Sequence, residues 1–415
     1  MFSSLKVKNF RLYWLGMFVS LIGTWVQVVA QSWLVFQLTN SAFLLGLVGF
    51  LSTIPVFLLS LFGGVVADRM NKKNILLFTQ NAFMLLAFLL AILTQMKLIT
   101  PSQIILIAIL NGIVMAFDAP SRQAVIADLV EKQHLLNAIA LNSAAFNSAR
   151  IIGPALAGIL IASIGMSGCF YINGISFLAV IIALLLIKIN NGPRRHTRTF
   201  LIKDLTDGLK FIKDNRIILI LISMVGITSL FGISYVILMP VFANEVLNVG
   251  VKGLGLLMSF TGFGALIAAL LLARLGDFKY KGKLLISSSI TFSISLVLFS
   301  LSKTYFFSLI TLILIGAASV TAVGIINTLL QTKVADEFRG RAMSVFMLTF
   351  AGFMPFGNLL AGMFAHIWGV SLTVLIGGII CTVFFIIINI VYPQIRNISE
   401  ATTYGSSQER DKLYG

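Results

Sequence analysis

The chain has 415 residues, of which 58% are hydrophobic and 11% are charged, and its mean hydropathy is +1.01. Soluble domains carry roughly 25% charged residues, so this composition excludes a soluble globular protein. A net charge of +16 would suggest nucleic-acid binding in a soluble protein, but here anionic lipid headgroups explain it better. We therefore expect anionic membrane lipids as partners and no nucleic acid.

Apolar runs long enough to cross about 30 Å of hydrocarbon recur from Tyr13 to Tyr392. They predict an all-α membrane protein with about twelve transmembrane helices. Because the first run belongs to this series, we expect it to be retained and not cleaved as a signal peptide. The predicted spans, numbered 1 to 12, are residues 12–37, 42–66, 74–96, 103–119, 137–163, 168–187, 217–243, 253–273, 284–302, 305–330, 343–368 and 371–392.

Positive charge is concentrated in alternate connecting segments. If the N-terminus is cytoplasmic, all 30 lysines and arginines fall in cytoplasmic segments except Lys97, Lys252, Lys303 and Arg150. The positive-inside rule then predicts cytoplasmic termini at both ends of a multi-pass protein of the cell (inner) membrane.

The longest hydrophilic stretch, Asn190 to Arg216, contains Gly192-Pro193 and a modestly amphipathic run from Phe200 to Asp214. It predicts a cytoplasmic linker with a surface helix. The predicted domains are an N-terminal six-helix bundle at 1–189, the linker at 190–216, a C-terminal six-helix bundle at 217–392 and a cytoplasmic tail at 393–415.

Three short features recur in the two halves in the same order, at offsets of 209, 208 and 204 residues. Together they indicate a duplication of one six-span unit. An even number of spans in each half gives both halves the same orientation, with a central cavity between them. The matched features are Gly46 and Asp68 with Gly255 and Asp277, Gln123–Asp128 with Gln331–Asp336, and Gly153–Gly158 with Gly357–Gly362.

The segment after span 2 reads Gly64-Val-Val-Ala-Asp68-Arg69-Met-Asn71-Lys72-Lys73. It resembles the major facilitator superfamily signature G-x-L-A-D-R-x-G-R-K, and the resemblance implies that superfamily's fold of two six-helix bundles. The segment departs from the signature at Asn71, where the family has glycine. Asparagine also tolerates a left-handed turn, so we expect the turn to persist.

The resemblance implies a gate. In this superfamily the acidic residue of the loop contacts the cytoplasmic end of a helix in the other half and stabilises the outward-facing state, a role carried over to Asp68. Its expected partner is the start of span 11, around Gly340 to Met343. Ordinary positive-inside charges are the alternative, which the fixed spacing disfavours. The gating residues are therefore Gly64, Asp68, Arg69, Lys72, Lys73, Asp277, Arg339 and Arg341.

Span 5 contains Gly153-Pro154-Ala-Leu-Ala-Gly158, which is similar to the antiporter motif G-P-x-x-G-G except at Ala157. In the superfamily this motif is associated with exporters, which the resemblance implies here. Close helix packing through small residues, with a proline bend, is the alternative reading.

The Asn327–Ser344 stretch and Ala119-Pro120-Ser-Arg122-Gln-Ala look like the subgroup of siderophore (enterobactin) exporters and macrolide efflux proteins. That resemblance implies a secondary active transporter exporting a small hydrophobic, siderophore-like or drug-like molecule by alternating access, with proton antiport. An importer of a small solute and a lysophospholipid flippase have the same fold and remain alternatives.

Ionisable residues within spans are costly and therefore functional candidates. Arg150 in span 5 could bind an anionic substrate group or a proton-carrying carboxylate, or could form a structural pair. Asp118 near the end of span 4 could take up protons, or could pair with Arg69 or Arg122. Typical drug exporters carry an arginine in the middle of span 4, where this chain has Asn111, and its absence weakens a carried-over proton mechanism.

Uncharged polar residues in the spans are candidate substrate contacts. Gln27 and Gln31 are four residues apart and so share one helix face. Tyr235, Asn111 and Asn327 lie in other spans that line the cavity in this superfamily, although lone polar residues in membrane helices more often bridge neighbouring helices.

Motifs for other chemistry are absent from the sequence. We find no phosphate-binding loop, no His-Glu-x-x-His and no Gly-x-Ser-x-Gly, and Cys169 and Cys381 both fall within spans. The sequence therefore predicts no enzyme, no cofactor and no metal site. We expect a monomer whose partners are a small-molecule substrate and protons.

Overall fold

The computed structural model describes residues 3–187, 209–276 and 278–397. This part of the chain is nearly all helical, with eleven helices long and apolar enough to cross a membrane. Short 3₁₀ helices lie at Ser3–Lys6 and Pro393–Asn397. The long helices are α1 Lys8–Thr39, α2 Ala42–Arg69, α3 Lys72–Gln95, α4 Pro101–Leu129, α5 Lys132–Leu186, α6 Arg216–Val246, α7 Gly250–Leu275, α8 Lys281–Leu301, α9 Tyr305–Lys333, α10 Asp336–Trp368 and α11 Val370–Val391.

The α5 helix contains two predicted spans. Its 55 residues would extend about 80 Å at 1.5 Å per residue, far more than one crossing requires. Gly165 interrupts it with φ 75° and ψ 176°, a backbone conformation that essentially only glycine adopts. The interruption falls in the gap between predicted spans 5 and 6. Divided at Gly165, the helices give the twelve crossings predicted from the sequence.

The α6 helix is irregular, which its hydropathy does not indicate. An α-helix over Arg216–Ile227 is followed by a π-helix at Thr228–Gly232 and a 3₁₀ helix at Ile233–Leu238. Pro240 comes next, and its missing N–H and its ring disturb the turn that precedes it. Irregular turns of this kind mark functional or strained positions in membrane helices.

The chain divides into two compact units. The first comprises Met1–Thr199 and Ile237–Gly262, and the second comprises Phe200–Val236 and Phe263–Gly415. Residues 190–208 of the predicted linker and residues 398–415 of the predicted tail lie outside the described part of the chain, and residues 209–214 are helical. The domain limits taken from the sequence stay a prediction.

Glycines bring the helices of the first unit close together. Gly63 of α2 lies so near α4 that a Cβ there would overlap the carbonyl oxygen of Ala116. A Cβ at Gly112 of α4 would likewise overlap the carbonyl oxygen of Ser52 on α2. Small residues at helix contacts permit this approach, and they hold α2 along α4 at two levels.

One such contact occurs in both units at corresponding places. Gly153 of α5 packs against Trp25 of α1, and Gly357 of α10 packs against Leu230 and Ser234 of α6. Gly153 and Gly357 are partners in the predicted duplication, and α1 and α6 are each the first span of their half. The same packing therefore recurs where the sequence repeat indicated it.

Candidate functional site

A cavity of about 440 Å³ lies in the first unit, between α1, α2, α4 and α5. Aromatic and aliphatic side chains form most of its wall, together with amide and hydroxyl groups. Arg122 is the one charged residue among those that line it. The lining residues are Leu21, Thr24, Trp25, Gln27, Val28, Gln31, Ser32, Val35, Leu45, Val48, Gly49, Ser52, Thr53, Val56, Phe83, Ala108, Asn111, Gly112, Met115, Arg122, Phe146, Asn173, Phe177 and Ile237.

Three of the polar residues selected from the sequence line this cavity: Gln27, Gln31 and Asn111. The Oε1 atom of Gln27 accepts a hydrogen bond from Nδ2 of Asn173 at 2.7 Å, and Gln27 is 8% exposed. Since Oε1 is occupied, the amide of Gln27 has its N–H groups to offer a ligand. Asn111 donates from Nδ2 to the carbonyl oxygen of Ile107 at 2.9 Å, which leaves its Oδ1 as an acceptor.

Asp118 is completely buried next to the cavity. Its Oδ1 accepts hydrogen bonds from the Thr79 hydroxyl at 2.8 Å and from Nε2 of Gln80 at 2.7 Å. Its Oδ2 accepts from Nε of Arg122 at 2.8 Å and from Nη2 of the same guanidinium. Of the two pairings considered from the sequence, with Arg69 or with Arg122, the structure contains the one with Arg122. Four donors satisfy the carboxylate, as a buried charge requires.

Two buried oxygen atoms beside this cluster have no partner among the described residues. They are the hydroxyl of Tyr13 on α1 and Oε1 of Gln80 on α3. Tyr13 interacts electrostatically with both Asp118 and Arg122. If Asp118 became protonated, its new O–H group would need an acceptor, and a tyrosine hydroxyl or an amide oxygen is chemically able to accept it.

The other candidate substrate or proton residues from the sequence are not among the residues that line the cavity. Arg150 is half-buried and forms no hydrogen bond or ion pair within the described chain. Tyr235 is 4% exposed and its ring packs edge-on against Phe299 at 6.1 Å. Asn327 accepts a hydrogen bond from Gln331 at 2.9 Å.

The charged residues on the two sides of the loop between α2 and α3 lie in different environments. Lys72 forms an ion pair with Asp128 of α4 at 2.6 Å, and Lys73 donates to the carbonyl oxygen of Ile187 at 2.9 Å, at the end of α5. A lysine there satisfies a free carbonyl and complements the helix dipole. Asp68 and Arg69 are exposed and have no such partner in the described residues. They remain available for other contacts.

The expected left-handed turn at Asn71 is wrong. Asn71 has extended backbone angles, φ −69° and ψ 112°, and its side chain accepts a hydrogen bond from the N–H of Lys73 at 2.9 Å. It is the N-cap of α3, a position that requires an extended backbone and favours asparagine for its side-chain acceptor. The start of a helix, and not a glycine-like turn, therefore explains this residue.

The remaining gating candidates lie near the start of α10 in the second unit. Arg339 pairs with Asp336 one turn earlier, and the guanidinium of Arg341 lies 5.6 Å from the ring centroid of Phe338. The Phe338 ring also stacks on Phe211 with centroids 4.5 Å apart. Asp277 lies outside the described residues.

Gly153 and Gly158 of the antiporter-like motif serve two different contacts. Gly153 faces Trp25, which lines the cavity, and Gly158 faces the backbone of Lys252 at the start of α7. Gly255 of α7 in turn lies against the carbonyl oxygen of Pro154. The motif's small residues pack helices together, and one of them supports Trp25 of the cavity wall. These contacts are compatible with both interpretations of the motif, helix packing and an exporter motif.

Sequence reasoning missed several residues of the site: Asn173, Thr79, Gln80, Tyr13 and the role of Arg122 in the cavity wall. Thr79-Gln80-Asn81 is a polar triplet in an otherwise apolar span, and this was the available signal. Within the described residues no three His, Cys, Asp or Glu side chains come together as a metal site.

Comparisons with known proteins also indicate a membrane transporter. A family model described as a transmembrane secretion effector matches residues 1–410. The chain is 32% identical to the staphyloferrin A transporter of Staphylococcus aureus over 382 residues, covering 90% of this chain and 94% of that protein. It is 24% identical to macrolide efflux protein A of Streptococcus pyogenes, covering 96% and 98% of the two chains. It is also 24% identical to an enterobactin exporter of Shigella boydii, covering 80% and 79%.

A solved structure confirms the fold. A bacterial homologue of the human lysosomal transporter Spinster, in an inward-facing and unoccupied conformation, has a TM-score of 0.73 at 13% identity. The match covers 94% of this chain and 98% of that one. The relatives are named as transporters or efflux proteins and not as enzymes, and they include the macrolide and enterobactin proteins that the motifs resembled.

Proposed function

Since the chain belongs to the transmembrane secretion effector family of the major facilitator superfamily, we propose that it is a secondary active exporter. It moves a small hydrophobic, siderophore-like or drug-like molecule by alternating access, in exchange for protons. Both termini lie in the cytoplasm, the protein acts as a monomer, and its basic segments contact anionic lipids.

The observation that carries this proposal is the cavity in the first unit. Trp25, Phe146 and Phe177 offer an apolar surface, and Gln27 and Asn111 add directed hydrogen-bonding groups. Ligand sites are typically apolar pockets with a few placed polar groups. Two relatives are named as an efflux protein and an exporter, which favours the outward direction.

Asp118 is the residue we assign to proton exchange. It is completely buried, and beside it lie the oxygens of Tyr13 and Gln80 that have no partner in the described part of the chain. Its ion pair with Arg122 links its charge to the cavity wall. Protonation of Asp118 would break that pair and alter the cavity, which is the link that an antiporter needs.

We assign the gate to the loop after α2. Lys72 and Lys73 hold this loop against α4 and α5, while Asp68 and Arg69 stay exposed. A Cβ at Gly64 would meet no atom within 4 Å, so Gly64 has no packing role in this unit. Its absence of a side chain fits a surface that another helix approaches during the transport cycle.

Everted membrane vesicles with an imposed pH gradient, acidic inside, test the proposal. Uptake of at least one compound from a panel of charged and uncharged molecules, among them a macrolide, enterobactin and staphyloferrin A, should require the chain and the gradient, and a protonophore should abolish it. Gradient-independent uptake of every compound would contradict proton antiport. Transport only into right-side-out vesicles would identify an importer, and headgroup protection of a labelled lysophospholipid would identify a flippase.

A further inference from the structure

The charge of the cavity is balanced by a residue behind its wall. Arg122 lines the cavity with a side chain that is 19% exposed, and its partner Asp118 has an exposure of 0%. The remaining lining residues are uncharged. A ligand therefore meets a site whose formal charge sums to zero, although its one visible ionisable group is a cation.

The guanidinium still has donors to offer. Arginine carries five N–H groups, and Arg122 uses two of them, one on Nε and one on Nη2, on a single oxygen of Asp118. The other three have no hydrogen-bond partner within the described chain. Because Asp118 is fixed by Thr79 and Gln80, it holds the guanidinium in one orientation.

We propose that this cavity selects electroneutral ligands that present a carbonyl or hydroxyl oxygen to the free N–H groups of Arg122. This inference rests on the proposed function and names the substrate class of the same site. An anion would bring a second negative charge to a guanidinium already neutralised by Asp118. A cation would lie beside an arginine without a carboxylate of its own. Either ion would leave a charge uncompensated in a largely apolar cavity.

Asp118 thus determines specificity through Arg122, as a positioning residue that need not touch the ligand. The remaining polar lining agrees with a neutral ligand. Gln27, held through Oε1 by Asn173, offers N–H groups, and Asn111 offers an oxygen. Such groups pair with neutral amides, esters and alcohols, and none of them can compensate a full charge.

The test uses three probes that share one aromatic body: 2-naphthylacetamide, 2-naphthylacetate and 2-(2-naphthyl)ethylamine. Their binding to the purified full-length protein in detergent is measured by calorimetry at pH 7.5, with protein-free detergent subtracted. We expect wild-type protein to bind the acetamide at least tenfold more tightly than either ion. A Trp25→Phe variant should change the heat of binding if the probes occupy the cavity.

Asp118→Asn gives the decisive result. Removing the balancing charge leaves the site with a net positive charge, so affinity for the acetate should rise at least tenfold relative to affinity for the acetamide. If the ion pair were only structural, Asp118→Asn would not shift the preference from the acetamide toward the acetate. Lys303→Gln is the control, since it removes an exposed cation that does not line the cavity, and it should leave all three affinities unchanged.

Should Asp118→Asn fail to fold, the charge-neutral pair Asp118→Asn/Arg122→Gln replaces it. That variant should gain no acetate affinity and should bind the acetamide more weakly than wild type.

Tighter binding of acetate by wild type, no binding of acetamide, or an unchanged preference in Asp118→Asn would each overturn the inference. Binding in detergent does not depend on direction or coupling, so active transport with no charge preference contradicts only this inference. A preserved preference without transport contradicts only the exporter.

Discussion

Position 118 in the first half holds a buried aspartate, whereas its counterpart in the second half, 208 residues later, is Ile326. At the same offset, Arg122 corresponds to Leu330, and these two apolar residues are 2% and 1% exposed. Gly153 and Gly357, by contrast, make the same kind of contact with the first helix of their own unit. The repeat preserves backbone packing and changes the charges.

The difference separates residues that hold the fold from residues that serve the cavity. A buried ion pair loses solvation and is often no more stable than apolar residues of similar size. The second half fills these positions with isoleucine and leucine and keeps the corresponding glycine contact. We infer that the first half retains Asp118 and Arg122 for their effect on the ligand.

The largest effect is expected when Asp118 and Arg122 are replaced by the apolar residue types that the second half has at the corresponding positions. Arg122→Leu alone leaves a buried carboxylate unpaired and should lower the free energy of unfolding by about 3–5 kcal/mol. Asp118→Ile/Arg122→Leu, the second half's pair, should recover most of that loss yet transport nothing. Thermal unfolding in detergent and vesicle transport measure the two effects. A double variant as unstable as the single one would show that the fold needs the pair.

The glycine contact that both halves share predicts that substituting either glycine lowers the free energy of unfolding by the same amount. Gly153→Ala would press a methyl group against Trp25, and Gly357→Ala would press one against Leu230 and Ser234. Each should destabilise the protein by about 1–3 kcal/mol, the usual range for overpacking. Gly340→Ala is the control, because a Cβ there meets no atom within 4 Å. Unequal losses at the two glycines would break the correspondence between the halves.

Substitutions at two adjacent glycines of α2 distinguish a role in helix packing from a role in the gate. Gly63→Ala collides with the carbonyl oxygen of Ala116 and should lower both stability and transport. Gly64→Ala meets open space in its own unit, so its melting temperature should stay within the error of wild type. Its transport rate should nevertheless fall about tenfold, a barrier increase of roughly 1.4 kcal/mol. Wild-type transport by Gly64→Ala would remove this residue from the gate.

Gln27 gives the smallest predicted effect. Gln27→Leu removes a ligand-facing amide and the partner of Asn173, and should raise the KM about threefold to tenfold. Asn81→Leu is a useful comparison, because Asn81 lies in a membrane helix but bonds the carbonyl oxygen of Leu77 and does not line the cavity. Equal changes in the two variants would argue against a ligand contact at Gln27.

The helices could be predicted because their signal is local. Apolar runs of sufficient length gave all twelve crossings, and the gap between spans 5 and 6 anticipated the break at Gly165. The irregular turns of α6 could not be predicted, because they do not change its hydropathy. Asn71 was misinterpreted because one residue type suits both a left-handed turn and a helix N-cap.

The site was predicted only where its geometry follows from one helix. Gln27 and Gln31 share a face, and Asp118 and Arg122 are four residues apart, so helical spacing indicated both pairs. Thr79, Gln80 and Asn173 reach their partners across other helices. Nothing in the spacing of α3 or α5 specifies those partners, because contacts between helices depend on how the helices pack.

Proton exchange for substrate is the central claim, and the sign of a pH change tests it most directly. Purified protein is reconstituted into liposomes that contain a pH indicator, and a transported compound without a titratable group is added outside. Antiport predicts that the lumen becomes alkaline as the compound enters, and that Asp118→Asn abolishes the change. Acidification, or accumulation of the compound with no pH change, would contradict the account.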